Sequence, residues 1–495
     1  MGKGYMTDMF KQLEEISKKL DESLKKINEQ SLTIYNLNLE IEKLNKTIQE
    51  KDEKITQLLE EIDRLKNKNN KNSLNSSKPS STNITTPKKK TGSNIYNYRI
   101  KSGKRPGGQY GHIGHSLSKE YIEKLIENKK VKVRKFSHII KGKSSKEIVI
   151  KYKLGIEIKP YVEKHIFRYD ENAKTTLPKE FYTDVTYDNS IKALSIELGA
   201  YNVISYDRLA DFFNVITDGV VQISKGSLVN ILYEFSSKCI PTLEILENDV
   251  LNGKYAYTDE TVTKFNGKNM YVRNYSNENT VIYKAHKNKG HNPIQEDGIL
   301  TRFCGGIMGD HDTTLQKYGI ENYECNIHVG RYLEELIQNI KDITWAPRMK
   351  ELIFRMNNTK KLAINFGLKK FDKDKIKEYE KEFDRLLKLA KEENKLIKSN
   401  YYKEKSNKLY RRLKTYKKNH LYFVKDFKVP FDNNLSEQDL RMFKTKTKIS
   451  GGFRSMEAAK HYVNALSIIK TSIKRRINPF ESIKAIFNNQ IIFSK

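Results

Sequence analysis

The 495-residue sequence predicts a multidomain α plus α/β protein. Three features carry that expectation: a heptad repeat over the first 66 residues, a set of short apolar strands ending in acids from about Lys254, and a long Lys-rich helical stretch that interrupts this α/β part. A chain of this length exceeds one ordinary core, so about two to four domains are expected. Lys and Arg number 92 against 61 Asp and Glu, a net charge of +31. Such an excess points to a polyanionic partner, because each neutralised phosphate releases condensed counterions. Nucleic acid is the first candidate and an anionic membrane surface the second. No apolar run approaches the roughly 18 to 20 residues needed to span a bilayer, and the start, MGKGYMTDMFKQLEE, lacks the apolar core of a signal peptide. Cys239, Cys304 and Cys325 lie far apart, which argues against a disulfide framework and for a cytosolic chain.

Residues 8–66 read as a coiled-coil helix. Leu13, Leu20, Ile27, Ile34, Ile41, Ile48, Ile55 and Ile62 recur every seven residues, with a second seam through Ile16, Leu37, Leu44, Leu58 and Leu65. Ile at one seam and Leu at the other favour a parallel homodimer. One long amphipathic helix docked on its own protein is the alternative. Residues 67–117, rich in Asn, Ser, Lys and Gly, cannot bury a core and read as a flexible basic linker. Alternation in EIVIKYKLGIEIKPYVEKHIFRY assigns a β-hairpin region to 118–181. Residues 182–245 turn helical: three short helices resemble a helix-turn-helix, with Ser224 or Ser227 near the start of the third. A purely structural bundle is the alternative there.

From 250 to 330 the pattern is α/β. KYAYTDET reads as a strand ending in acid, KNMYVRNYS and NTVIYKAHK as the next two, and ILTRFCGGIMGDHD as a further buried strand ending in acid. Residues 331–420 form a helical basic insertion. Its later part interleaves Tyr401, Tyr402, Tyr410 and Tyr416 with lysines and arginines, which suits stacking on nucleic acid or a plain solvated face. Residues 421–495 return to the α/β part and end in helices.

Three acids stand out. Asp259 and Asp310 end strands, and Glu437 follows PFDNN in the first turn of a helix. Carboxylates at the carboxyl ends of strands line the crevice where α/β sheets bind ligands. Three hard oxygen ligands suit Mg²⁺ or Mn²⁺, and two such ions about 4 Å apart can serve phosphodiester chemistry. Asp312 is an alternative to Asp310.

The motifs also resemble a known family. In order along the chain stand a coiled coil, LNSSKPSS at 74–81, GKRPGGQYGHIGH at 103–115, YTDET at 257–261, MGDHDTTLQKYG at 308–319, CNIHVGRYL at 325–333 and VPFDNNLSEQDLRMFKTKTKISGGFRS at 429–455. This series resembles the insertion-sequence-66 family of bacterial transposases along nearly the whole length. The resemblance implies a ribonuclease H-like core, with Asp259, Asp310 and Glu437 as the catalytic, metal-holding Asp-Asp-Glu triad and a helical insertion before the glutamate. Arg441, Lys444, Lys446, Lys448 and Arg454 are then expected to contact DNA phosphates, with Gly451 and Gly452 letting backbone amides approach the DNA. Asp432 and the paired asparagines are expected to cap the helix that presents Glu437.

Two departures from the family matter. Many members carry a cysteine-rich zinc-binding segment, but residues 118–238 contain no cysteine, so no structural zinc is expected. Gln438 stands where arginine is frequent. Cys325 and His328, spaced C-x-x-H, match a family feature but are only two ligands, and a buried strand-to-helix junction explains them as well. The function expected is a metal-dependent DNA transposase acting on the ends of its element in the bacterial cytoplasm, associated with the nucleoid when bound to DNA. Accessory proteins of the element are further partners, and no membrane is involved. A catalytically inactive DNA-binding protein or dimeric regulator is the alternative.

Overall fold

No glycine or proline interrupts the sequence between Tyr5 and Asn70, and the chain runs as one helix, α1 (Lys3–Asn70), of 68 residues, about 100 Å long at the standard rise. The structure is a computed structural model that describes residues 3–72, 75–76, 118–138, 150–168, 174, 176–178 and 181–494. Most of the linker expected at 67–117, with the motif at 103–115 and most of that at 74–81, lies outside the described residues. After α1 come α2 (Lys119–Glu127), then α3 (Asn189–Ile196), α4 (Tyr206–Ile216), α5 (Lys225–Lys238) and α6 (Ile240–Leu251). Strands β1 (Tyr255–Phe265), β2 (Lys268–Ser276) and β3 (Val281–His286) follow, then α7 (His291–Asp297), α8 (Ile299–Arg302), β4 (Gly306–Gly309) and β5 (Glu321–Glu324). The remainder is helical: α9 (Asn326–Asn339), α10 (Trp345–Asn365), α11 (Lys373–Lys395), α12 (Asn400–Thr415), α13 (Lys417–Lys425), α14 (Asn434–Ser450), α15 (Met456–Lys474) and α16 (Pro479–Phe487).

The hairpin expected within 118–181 is not found among the described residues. That region forms α2, and residues 150–168 run without a strand assignment. The alternation is present in the sequence, but neither face meets a core: Val162 on one face is 93% exposed and Tyr161 on the other 60%. Two strands without a third, or a helix to cover them, are at best marginally stable in water.

The chain forms two compact units. One is built from α1 with Val329–Leu352 and Glu380–Thr415. Here the end of α1 is tied to the helices of the insertion. Asn67, 2% exposed, donates to Glu335 Oε1 at 2.7 Å and accepts from Tyr401 Oη at 3.3 Å and Lys405 Nζ at 3.1 Å. Ser399 donates to Asp63 at 2.5 Å, and Tyr402 to Asn339 at 3.1 Å. Tyr401 and Tyr402 therefore serve packing within this unit. The heptad positions toward the start of α1 are uncovered: from Leu13 to Ile62 the first seam is 44% to 60% exposed.

The other unit carries a five-stranded sheet in the order β3-β2-β1-β4-β5. The β1–β2 and β2–β3 pairs are antiparallel; β1–β4 and β4–β5 are parallel. One edge is covered by α15, whose Ala459, Val463, Leu466 and Ile469 are buried at helical spacing. Tyr283 and Val281 of β3 donate their backbone N–H groups to Ser467 Oγ at 3.0 Å and Thr471 Oγ1 at 3.1 Å, so the helix satisfies a strand edge that would otherwise invite pairing. Helices α3, α5, α6 and α16 extend this core through Ala193, Leu228, Phe235, Leu246 and Ile483. Ser224 caps α5 by accepting from Ser227 N at 3.0 Å. Helix α14 packs on β1 and β2. Among the described residues no helix is long and apolar enough to cross a membrane.

Candidate active site

Register brings the first two acids together. Strand β1 pairs in parallel with β4 through Tyr255↔Gly306, Ala256↔Ile307 and Tyr257↔Met308. Continuing the same register sets Asp259 level with Asp310, just past the end of the parallel ladder. Asp259 is thus in the middle of β1 rather than at its end: β1 runs on to Phe265 by pairing with β2, while β4 stops at Gly309. The crevice opens where one neighbour ends and the other continues.

Helix α14 supplies the third acid from its first turn, at Glu437. Three buried polar side chains connect it to the strands. Asn433, fully buried, donates through Nδ2 to Thr258 O at 2.8 Å and to Asp310 Oδ1 at 3.1 Å. Asn274 of β2 accepts from Asp259 N at 2.9 Å and from Ser436 Oγ at 2.7 Å. His328, near the start of α9, lies between two acids, with Nδ1 3.3 Å from Asp310 Oδ1 and Nε2 3.6 Å from Glu437 Oε1. The asparagine expected as a cap therefore does a different job. Asn433 makes no side-chain cap, and Asp432 accepts from Asn434 N at 3.0 Å instead.

The three carboxylates expose only 14% (Asp259), 17% (Asp310) and 20% (Glu437) of their side chains. Burial pushes the Asp259 carboxyl above its ordinary range; Lys444 opposes this and the Glu437 charge adds to it. Like charges gathered in a half-closed crevice are a donor set of hard oxygens that fits a divalent cation such as Mg²⁺ or Mn²⁺. Beside them lies a cavity of about 380 Å³ lined by residues including Asp259, Glu260, Arg273, Lys289, Asp310 and Asp312. Cys325 sits between β5 and α9, its thiol pushed well up by burial first and then by the Asp310 charge. Its Sγ accepts from Asn433 N at 3.3 Å. Asp310, Cys325 and His328 place one ligand atom each within 4.8 Å of the others.

Asp312 is committed elsewhere. Burial works against its charge, but hydrogen bonds from Thr314 and the Arg273 guanidinium outweigh this and hold its carboxyl below the usual range. It accepts from Thr314 N at 2.9 Å, capping a 3-10 turn at Thr313–Lys317, and lies 3.2 Å from Arg273 Nη2. Arg273, 1% exposed, also meets Glu260 at 2.9 Å.

Of the basic residues after Glu437, Arg441, Lys444 and Lys448 are exposed and lie four, seven and eleven positions on, which is the same helical face. Lys444 Nζ is 4.0 Å from Asp259. Lys446, nine positions on, falls on the opposite face, with its ammonium 5.6 Å from the Tyr462 ring centre; burial lowers its pKa. The helix period separates it from the other lysines. Arg454 is exposed beyond the turn. Of the two glycines before it, Gly452 faces protein, whereas a Cβ on Gly451 would meet open space. Gly451 ends α14 at φ +70°, and a Cβ on Gly452 would stand 2.3 Å from Lys264 O. Close approach there lets Phe453 N donate to Lys264 O at 2.8 Å, attaching the turn to β1.

Asn274, Ser436 and Arg273 were not singled out by the sequence, and Asn433 only as one of the expected capping asparagines. Nothing in the local pattern marks these contacts, because each reaches a partner elsewhere along the chain. Among curated proteins none matches the sequence. A model of a family of unknown function (DUF6444) matches residues 8–118, and that of the Transposase IS66 family matches residues 185–461. The second match takes in more than half of the chain and runs from α3 through both strand-borne acids to α15, so the chain belongs to the IS66 family of transposases.

Proposed function

We propose that the protein binds the terminal repeats of its own element, hydrolyses the phosphodiester at each end and joins the freed 3′-hydroxyl to target DNA. The observation that carries this reading is the convergence of Asp259, Asp310 and Glu437 on one crevice of the sheet. The strand order, three antiparallel strands continued by two parallel ones, supports a ribonuclease H-like core with the helices α9 to α12 inserted before Glu437.

Asp259, Asp310 and Glu437 would together hold Mg²⁺ or Mn²⁺, as a pair of ions in the reacting complex; the metal, when bound, would help activate the attacking oxygen and stabilise the leaving one. The rest is the chain's own work. Asn433 and Asn274 fix the backbone and carboxyl positions of the acids, and the half-closed crevice limits bulk water around them. Arg441, Lys444 and Lys448 line the face that carries Glu437, where they can seat phosphates on either side of the cleaved bond; Arg454 extends that track. Lys446 has a lesser part because it turns toward Tyr462. The helices of 182–245 and the net charge of +31 would supply further, salt-dependent contact. The uncovered seam of α1 fits a second copy in a parallel coiled coil, giving one crevice for each element end. Proteins encoded by the same element are further candidate partners.

End-cleavage tests this reading. The full chain with a duplex carrying its element's terminus and Mg²⁺ should nick that terminus to leave a 3′-hydroxyl and join it to a target duplex, with neither product in EDTA. Firm binding to the terminus without any cleavage in Mg²⁺ or Mn²⁺ would contradict it.

A further inference from the structure

A second group of metal-type ligands lies outside the acid triad. His311 follows Asp310 at the end of β4, Glu324 closes β5, and His420 is in the first turn of α13. The sequence spreads them over more than a hundred positions, and the fold brings one ligand atom of each within 4.8 Å of the other two. All are buried: the side chains of His311 and Glu324 are 4% and 2% exposed, and His420 is 1% exposed.

The surroundings orient these groups as ligands are oriented. Asn326 donates its amide to His420 O at 3.0 Å, so its Oδ1 is the atom that faces His420 Nδ1 at 3.2 Å. Nδ1 must then carry the proton, and Nε2 is the lone-pair nitrogen of the neutral ring. A metal-binding imidazole is held in this way, its second nitrogen donating to a fixed oxygen. Glu324 is held likewise: Gln316 Nε2 donates to Oε1 at 3.0 Å, while Oε2 is 3.3 Å from His311 Nε2. His311 adopts φ +60°, a left-handed conformation that is uncommon outside glycine and is kept only where the surroundings impose it. The His311 and His420 rings meet edge to face, with centres 5.5 Å apart.

We propose that His311, Glu324 and His420 form a structural site for a first-row divalent metal, with Zn²⁺ the best match to two imidazoles and one carboxylate. Tetrahedral bonds of about 2.0 to 2.2 Å set the ligand atoms about 3.5 Å apart, a separation the His311–Glu324 pair already has, at 3.3 Å. The bound metal ties the loop after Asp310, the end of β5 and α13 to one another. The missing cysteine segment excludes a four-thiolate site in residues 118–238, and this site uses other residues and other donors. It does not depend on the nuclease reading, since none of its three ligands is in the acid triad.

The test uses the full chain carrying Asp259→Asn and Glu437→Gln, which weakens metal binding at the triad. Metal-stripped protein is loaded with Zn²⁺ or Co²⁺, desalted and analysed. We expect stoichiometric zinc, and a cobalt form with visible ligand-field bands but no near-ultraviolet thiolate band. His420→Gln and Glu324→Gln should each abolish retention, and Asn326→Ala should weaken affinity about 10- to 100-fold. If either ligand variant fails to fold, the cobalt spectrum and the Asn326→Ala titration decide. Failure to retain metal overturns the site and leaves a buried His–Glu ion pair. A thiolate band overturns it by placing the metal on Cys325, and unchanged retention in the ligand variants overturns it as well.

Discussion

Asp188 shows at the scale of one residue how the fold sets a charge. It caps α3, accepting from Ser190 N at 2.8 Å and from Tyr161 Oη at 2.8 Å. Burial resists its ionisation, but the hydrogen bonds from Ser190 and Tyr161 prevail and bring its pKa down to about 2. A depressed folded value means stability that is complete above the ordinary aspartate range and is lost as pH falls toward 2. Asp188→Asn keeps a capping oxygen but not the charge. It should therefore be less stable than the parent in denaturant titrations at pH 7, and the gap should narrow between about pH 4 and pH 2. A gap that stays constant over that range would show that the charge is not what the hydrogen bonds favour. The same scale explains what sequence could reveal of the site. Asp259, Asp310 and Glu437 stand out in the sequence because each reads as ending or beginning an element, although β1 in fact continues past Asp259. Asn433 did not, since it reads as a cap and is instead bound to Asp310, 123 positions away.

Among the elements, α1 was the most legible, because a seven-residue apolar period sustained without a breaker has few other readings. The strands β1 to β3 were legible for their β-branched and aromatic content. The extent of β1 was not, because a strand's end depends on which neighbours continue beside it. Among the described residues of 118–181 the expected strands are not formed for a related reason: alternation describes a face, but the face needs something to cover it. Gly452, expected to face DNA, instead approaches the backbone of Lys264. For α1 the uncovered seam leads to a direct expectation. Burying an isoleucine is worth about 1.5 to 3 kcal/mol, so Ile34→Lys with Ile41→Lys in the full chain should weaken a dimer at least about a hundredfold. These positions lie far from Asp63 and Asn67, which hold the end of α1 to the insertion, so the fold of that unit should be kept. Sedimentation should show the parent as a dimer and the variant as a monomer; equal mass for both would mean that α1 is not the dimer contact.

For the whole molecule, a strongly basic chain keeps three acids together in one crevice of its sheet, beside the interior strands β1 and β4, and surrounds them with arginine and lysine. That opposition of charge was visible in the composition and in the position of each acid, but the parallel register that sets Asp259 beside Asp310 was not, because pairing between distant strands leaves no local mark. It also distinguishes Asp310 from Asp312, whose carboxylate is taken up by Arg273 and the turn that follows. Whether Asp259, Asp310 and Glu437 perform metal-dependent cleavage, as proposed, is decided by cleavage of the element's end DNA in Mg²⁺ by Asp259→Asn, Asp310→Asn, Glu437→Gln and Asp312→Asn, with binding measured in parallel. The first three should bind the DNA and fold as the parent does while cleavage falls by at least about a hundredfold, and Asp312→Asn should retain most of the activity. Cleavage at the parental rate by the three triad variants, or its loss in Asp312→Asn with Asp310→Asn still active, would contradict the account.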